Sequence, residues 1–79
     1  MGRNSLSAAF ATVLKRARLA KGLSQEDLAH AAGLHRTYVG LIERGLRRPT
    51  MEAGHALAQA LDTPLSELVR ESEKRLARG

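Results

Sequence analysis

Residues 24–45 of this chain read SQEDLAHAAGLHRTYVGLIERG, and this segment predicts two short helices joined by a tight turn. Ser24 can cap the first helix, and acidic residues follow it in the first helical turn. Gly33 can adopt the positive φ that ends this helix. Ala29 is small at the point where two helices that cross near a right angle bring their backbones together. The segment therefore predicts a closely packed pair of helices.

The second helix of this pair is expected to begin near His35 or Arg36 and to stop at Gly45 after about nine residues. The apolar residues at inward positions of the pair are Leu28, Ala32, Leu34, Val39 and Ile42. The residues left on the outward face are His35, Arg36, Thr37, Gly40 and Leu41. This face therefore presents an imidazole, a guanidinium and a hydroxyl near the helix N-terminus, where an anion also meets the positive end of the helix dipole.

Three further helices are predicted around this pair. One precedes it and spans about residues 6 to 20, and two follow it. Their expected N-terminal caps are, in chain order, Ser5 or Ser7, then Thr50, then Thr63 followed by Pro64 in the first turn. The sequence therefore predicts an all-α fold of five helices.

The composition favours helices over strands. The chain of 79 residues contains 13 Leu and 13 Ala, which favour helix, and only 3 Val and 1 Ile, which favour strand. A chain of this length is expected to form one domain over residues 1–79. The apolar spacing places its core at about residues 8–70. Beyond Val69 the sequence is polar and charged, and only Leu76 argues for burial there, so residues 71–79 are expected to extend the last helix into solvent.

The net charge of +5 arises from 13 Lys and Arg residues against eight Asp and Glu residues, and ten of the 13 are Arg. Arg is the side chain best shaped to grip phosphate and guanine. Residues 36–48 contain four Arg and one Glu. Residues 1–25 contain no acid and five bases, namely Arg3, Lys15, Arg16, Arg18 and Lys21. A polyanion is therefore the expected partner.

Several other classes of function are disfavoured. The chain has no cysteine, which excludes a disulfide framework and a thiol nucleophile. His30, His35 and His55 are not spaced as two metal ligands on one helical face. No apolar run approaches the roughly 20 residues that cross a membrane. We therefore expect no metal, cofactor, small-molecule ligand, membrane segment or enzymatic activity.

The sequence resembles the helix-turn-helix domains of the lambda repressor and Cro type, the XRE family, from about Phe10 to Val69. The residues that carry the resemblance are Leu14, Arg18, Gly22, Leu23, Ser24, Gln25, Leu28, Ala29, Gly33, Val39, Ile42, Glu43, Arg44, Gly45 and Pro49. Within the family, HRTYVGLIERG looks most like the small controller proteins of restriction–modification systems. The resemblance implies a lambda-repressor-like domain whose second and third helices form the helix-turn-helix.

The resemblance also implies residue roles. The residues expected to contact DNA are Gln25 at a phosphate, His35, Arg36 and Thr37 at base edges or phosphates, and Tyr38 and Arg47 around them. The residues expected to be structural are Ala29, Gly33 and the ion pair of Arg18 with Glu43. Leu41 is either a contact to a thymine methyl group or an ordinary surface leucine. The alternative for Tyr38 is that its ring packs against the second helix, with its hydroxyl in water.

The leading hypothesis is a sequence-specific regulator of transcription that binds double-stranded DNA. It would bind a pseudo-palindromic operator as a symmetric dimer. Its expected location is the cytoplasm, at the nucleoid. Regulation would come from promoter occupancy and contact with RNA polymerase. The residues of the fourth and fifth helices expected to form the dimer interface are Leu61, Leu65, Leu68 and Val69. Gly54 departs from the family pattern of a large apolar residue, and Met51 or a partner subunit would have to fill the void.

Two alternatives to DNA binding stay open. The same helices would serve a protein-interaction module, such as an antitoxin or a coactivator-type domain, with an incidental basic face. An outward face that carries Arg36, Thr37 and Arg47 argues against this alternative. RNA binding is disfavoured, because one Tyr and one Phe offer almost no surface for base stacking.

Overall fold

Five α-helices form the part of the chain that the computed structural model describes, residues 5–78. Their bounds are α1 Leu6–Ala20, α2 Gln25–Ala32, α3 Arg36–Glu43, α4 Met51–Ala60 and α5 Leu65–Arg78. No strand occurs within residues 5–78. The all-α prediction of five helices is therefore confirmed. Arg3 of the basic N-terminal segment and Gly79 of the predicted extension lie outside the described residues.

Hydroxyl side chains cap three of the helices. Ser5 accepts a hydrogen bond from the Ala8 backbone N–H at 3.0 Å, which selects it over Ser7 as the cap of α1. At α2, the Ser24 hydroxyl accepts from the Asp27 N–H while the Asp27 carboxylate accepts from the Ser24 N–H. These reciprocal bonds form a capping box, and they lower the pKa of Asp27. Thr50 caps α4 as expected.

The starts of α3 and α5 differ in detail from the sequence prediction. His35 lies just outside α3 and caps it, with its Nδ1 accepting a hydrogen bond from the Thr37 N–H at 3.1 Å. Thr63 does not form the predicted side-chain cap of α5, because its hydroxyl donates to the Leu61 carbonyl at 3.1 Å. The Pro64 carbonyl accepts the first helical hydrogen bonds of α5 instead.

The hydrophobic core lies where the five helices meet. Its buried members are Phe10, Leu14, Leu28, Ala29, Val39, Ile42, Leu57, Ala58, Leu61 and Leu68. The C-terminal helix is part of this packing beyond Val69, since α5 lies along α1 and Ser72 is fully buried. The Ser72 hydroxyl donates to the Leu68 carbonyl at 2.7 Å, which satisfies its polar group inside the helix. The start of the predicted solvent extension is therefore packed against the domain.

An apolar groove of about 240 Å³ runs between α1, α4 and α5. The hydrophobic side chains along it are Leu6, Phe10, Met51, Leu65 and Val69. Leu65 covers the position of Gly54, since a Cβ at residue 54 would lie 3.3 Å from the Cδ1 of Leu65. Met51 does not fill the expected void, because 79% of it is exposed. The groove leaves an apolar surface on the outside of the domain.

The structure corrects half of the predicted dimer interface. Leu61 and Leu68 are only 1% and 3% exposed, because both point into the chain's own core. Leu65 and Val69 are half-buried and line the apolar groove.

The described helices include none that is long and apolar enough to cross a membrane.

Candidate nucleic-acid interface

A buried ion pair anchors the C-terminal end of α3 to α1. Arg18 donates to both carboxylate oxygens of Glu43, from Nε at 2.7 Å and from Nη2 at 2.9 Å. The side chains are 8% and 1% exposed. The Glu43 carboxylate raises the pKa of Arg18, chiefly through these hydrogen bonds. A planar, two-pronged contact of this kind restricts how α3 can rotate on the domain.

Two further groups complete this buried network. The Arg18 Nη1 donates to the Leu23 carbonyl at 2.8 Å, in the loop between α1 and α2. Gln25, the first residue of α2, donates from Nε2 to the Glu43 Oε1 at 3.0 Å. The network therefore ties together the three helices that position the outward face of α3.

The N-cap and first turn of α3 carry the residues predicted to contact base edges or phosphates, and all three are exposed. They are His35, Arg36 and Thr37. Because the Nδ1 of His35 accepts the helix-capping hydrogen bond, the neutral ring carries its hydrogen on Nε2, as a donor. This turn therefore offers a donor, a guanidinium and a hydroxyl on one exposed surface.

Arg36 has a partner that sequence reasoning missed. Its Nη1 lies 3.5 Å from the Glu26 Oε1 in the first turn of α2. Both side chains are mostly exposed, at 65% for Arg36 and 74% for Glu26. The two residues are ten positions apart, so only the angle between α2 and α3 brings them together. No periodic pattern in the sequence points to this contact.

A polar notch of about 330 Å³ lies between α2 and α3. It is lined by Gln25, Arg36, Thr37, Gly40 and Arg44. Gly40 leaves room for the Gln25 side chain, since a Cβ there would lie 3.4 Å from the Gln25 Oε1. Arg44 was not predicted as a contact residue, although the spacing of four between Arg36, Gly40 and Arg44 indicates one helical face. The notch can hold an anion between two guanidinium groups.

Half-buried Tyr38 on α3 and exposed Arg47 in the following loop form a second group. The guanidinium carbon of Arg47 lies 5.6 Å from the centre of the Tyr38 ring, at the distance of a cation–π contact. The Tyr38 hydroxyl accepts a long hydrogen bond, 3.4 Å, from the Thr50 N–H at the start of α4. This bridge to α4 was missed by both interpretations of Tyr38 from the sequence.

The remaining predicted residues are Leu41, Ala29 and Gly33. Leu41 is half-buried, whereas Ala29 is 2% exposed at the crossing of the helix pair. Gly33 adopts φ +70°, which other residues rarely take, at the turn between α2 and α3. Within residues 5–78, no three His, Asp or Glu side chains are grouped closely enough to hold a metal ion.

Comparison of the sequence with known families matches residues 14–68 to the Helix-turn-helix family. The control protein C.SmaI of Serratia marcescens is 49% identical over 47 residues, which cover 60% of this chain. The match spans 56% of the length of that relative. The control protein C.BamHI of Bacillus amyloliquefaciens is 34% identical over 67 residues, or 84% of this chain and 83% of the relative.

Solved structures show the same fold. The crystal structure of the restriction–modification controller protein C.AhdI from Aeromonas hydrophila matches with a TM-score of 0.77 and 47% identity, over 78% of this chain and 94% of that chain. The controller protein C.Esp1396I, solved as a tetramer with its natural 35 base-pair operator, matches with a TM-score of 0.83 and 32% identity. That match covers 91% of this chain and 95% of the relative.

Proposed function

Because the chain belongs to the helix-turn-helix family, we propose that it is a transcriptional regulator that binds a specific sequence of double-stranded DNA. The observation that carries this proposal is the exposed N-terminal turn of α3, where Arg36 and Thr37 stand beside the polar notch. A helix presented in this way can enter the major groove with its N-terminal side chains toward the base edges. The proposal includes no enzymatic step.

Different residues would contact the base edges and the phosphate backbone. The Arg36 guanidinium can pair with the O6 and N7 of guanine, and Thr37 and the Nε2 of His35 would reach neighbouring base edges or phosphates. Arg44 lines the notch and suits a phosphate, and Gln25 would donate to a phosphate from the Nε2 hydrogen that does not bond to Glu43. Arg47 and Tyr38 would contact the DNA beside α3. Leu41 is half-buried and would contribute at most an apolar contact to a thymine methyl group.

The regulator is proposed to act as a homodimer on a pseudo-palindromic operator. One short recognition helix makes few base contacts, and a dimer combines those of two half-sites one helical turn apart. The apolar groove between α1, α4 and α5 supports this assembly, with Leu65, Val69 and Met51 as its contact residues. The C.Esp1396I relative is a tetramer on its operator, and two dimers side by side would be the matching arrangement here.

The cellular role proposed for the protein is that of a restriction–modification controller. The names of C.SmaI, C.BamHI and C.AhdI support this role. Such a regulator would work on the bacterial chromosome in the cytoplasm. It would set transcription through promoter occupancy and contact with RNA polymerase.

Selection of bound sequences from a random duplex pool tests the proposal most directly. A consensus of two inverted half-sites is expected. Affinity for that operator and for a scrambled duplex is then measured for Arg36→Ala and Gln25→Ala. The Arg36 variant should lose about 1 to 3 kcal/mol of discrimination per half-site, whereas the Gln25 variant should weaken both duplexes by similar factors.

Two outcomes would overturn parts of this assignment. If Arg36→Ala weakens operator and scrambled DNA in equal proportion, Arg36 is a backbone clamp and other groups read the sequence. If the pure protein protects no DNA even at low salt, a protein-interaction module becomes the better assignment.

For a surface that binds phosphates, the logarithm of affinity should fall linearly with the logarithm of salt concentration. The magnitude of the slope should be about 0.9 for each phosphate contacted.

A further inference from the structure

Glu26 is an acid next to Arg36 on the surface proposed to meet the DNA. Its carboxylate lies 3.5 Å from the Nη1 of Arg36, the residue proposed to read guanine. Arg44 is also exposed, and it lines the polar notch together with Arg36. A negative charge at this place repels every phosphate that approaches, so it weakens DNA binding unless it does something else there.

Folding does not account for the pairing of Glu26 with Arg36. Both side chains are more than half exposed, and exposed ion pairs contribute little to stability. An acid in the first turn of α2 does interact favourably with the helix dipole. Asp27 in the same turn already supplies such a carboxylate and forms the capping box. The contact with Arg36 therefore calls for an explanation at the DNA surface.

We propose that Glu26 is a positioning residue that raises sequence specificity by controlling where the Arg36 guanidinium can go. This inference rests on the proposed function. The guanidinium has five N–H donors in one plane, and a bidentate contact with guanine uses two of them. One of the others can stay on the Glu26 carboxylate, so the two contacts are compatible when Arg36 faces a guanine.

A phosphate contact by Arg36 is different. If the guanidinium swings to the backbone, it leaves the Glu26 carboxylate without its cation and close to phosphates of the same charge. Binding to arbitrary sequences, where Arg36 has no guanine to pair with, is then penalised, whereas binding to the operator is not. Discrimination against the wrong partner by an unpaired charge is a general route to specificity.

The test compares Glu26→Gln with the wild-type protein on the selected operator and on a scrambled duplex, at several salt concentrations. Affinity for the scrambled duplex should rise about fivefold, while operator affinity changes less than about twofold. The ratio of the two affinities should therefore fall. Glu71→Gln is the matched control, because Glu71 is an exposed acid that pairs with Lys74 at 3.7 Å on α5. Its two affinities should move together, by less than about twofold.

The same substitution in an Arg36→Ala background separates positioning from plain charge. Once Arg36 is absent, Glu26→Gln should leave the ratio of operator to scrambled affinity unchanged. Equal tightening of both duplexes by Glu26→Gln in the wild-type background would overturn the inference and leave the proposed function intact. A wild-type protein that fails to distinguish operator from scrambled DNA would overturn the proposed function, and the role of Glu26 with it.

Discussion

Removal of the Glu43 carboxylate should destabilise this domain more than loss of any exposed ion pair. Glu43→Ala takes away both partners of the Arg18 Nε and Nη2, which donate to it at 2.7 and 2.9 Å. The Arg18 side chain, which is 8% exposed in the native structure, then keeps only the Leu23 carbonyl as its contact in the network. Gln25 loses its acceptor as well.

The expected loss is about 3 kcal/mol, the lower end of the range for a buried ion pair broken on one side. A domain of this size has a free energy of unfolding of about 4 to 12 kcal/mol, at roughly 0.05 to 0.15 kcal/mol per residue. Since about 1 kcal/mol shifts the melting temperature of a small domain by about 4 to 8 °C, the midpoint should fall by about 12 to 24 °C. A guanidinium cannot lose its proton, so the loss should persist from about pH 5 to pH 8.

Thermal melting followed by circular dichroism measures this effect, with two controls. Glu71→Ala breaks the exposed pair with Lys74 and should change stability by less than about 1 kcal/mol. The double variant Arg18→Met with Glu43→Leu removes both charges and should recover most of the loss, because apolar residues of similar volume can replace a buried pair. A Glu43→Ala midpoint within about 3 °C of wild type would refute the reasoning.

Three further predictions concern the cap of α3, the apolar groove and the capping box. His35→Ala should lower the free energy of unfolding by about 1 kcal/mol in urea, whereas His35→Ser keeps a cap and should lose less; equal losses would contradict the capping role. Met51→Glu places a charge at an exposed position of the groove and should convert a dimer to a folded monomer in sedimentation; a folded variant that still sediments as a dimer would place the interface elsewhere. Because hydrogen bonds from Ser24 lower the pKa of Asp27 in the folded state, its stabilisation is present above the ordinary carboxyl pKa and is lost as pH falls through the lowered value. Urea melts of Asp27→Asn should lack that part of the acid dependence, and an unchanged pH profile would argue against it.

The helix boundaries were predictable because their signals are local. Ser24 and Asp27 are three residues apart, and Gly33 needs only its own backbone freedom to end α2. Thr63 shows where local reasoning fails, since its hydroxyl turns back to the Leu61 carbonyl instead of capping α5. The same residue type can serve either bond, and the path of the surrounding loop selects one of them.

The pairing of Arg18 with Glu43 followed from resemblance to a family, not from spacing. Twenty-five residues separate the two, and no helical period links them. The contacts of Glu26 with Arg36 and of Tyr38 with the Thr50 N–H were not anticipated. Each joins two helices, so its existence depends on the angle at which those helices pack.

Local pattern alone was sufficient for five helices, a basic surface and an outward face on α3, because periodicity, caps and charge depend on neighbours in the chain. Tertiary structure decided which apolar residues of α4 and α5 remain outside. Leu68 shares the helical stripe of Leu65 and Val69 on α5, and Leu61 follows the last turn of α4. Leu61 and Leu68 are nevertheless buried in the core, whereas Leu65 and Val69 line the groove. The physical reason is that the neighbouring helices cover only part of a wide apolar stripe. Which part they cover depends on how the whole domain packs.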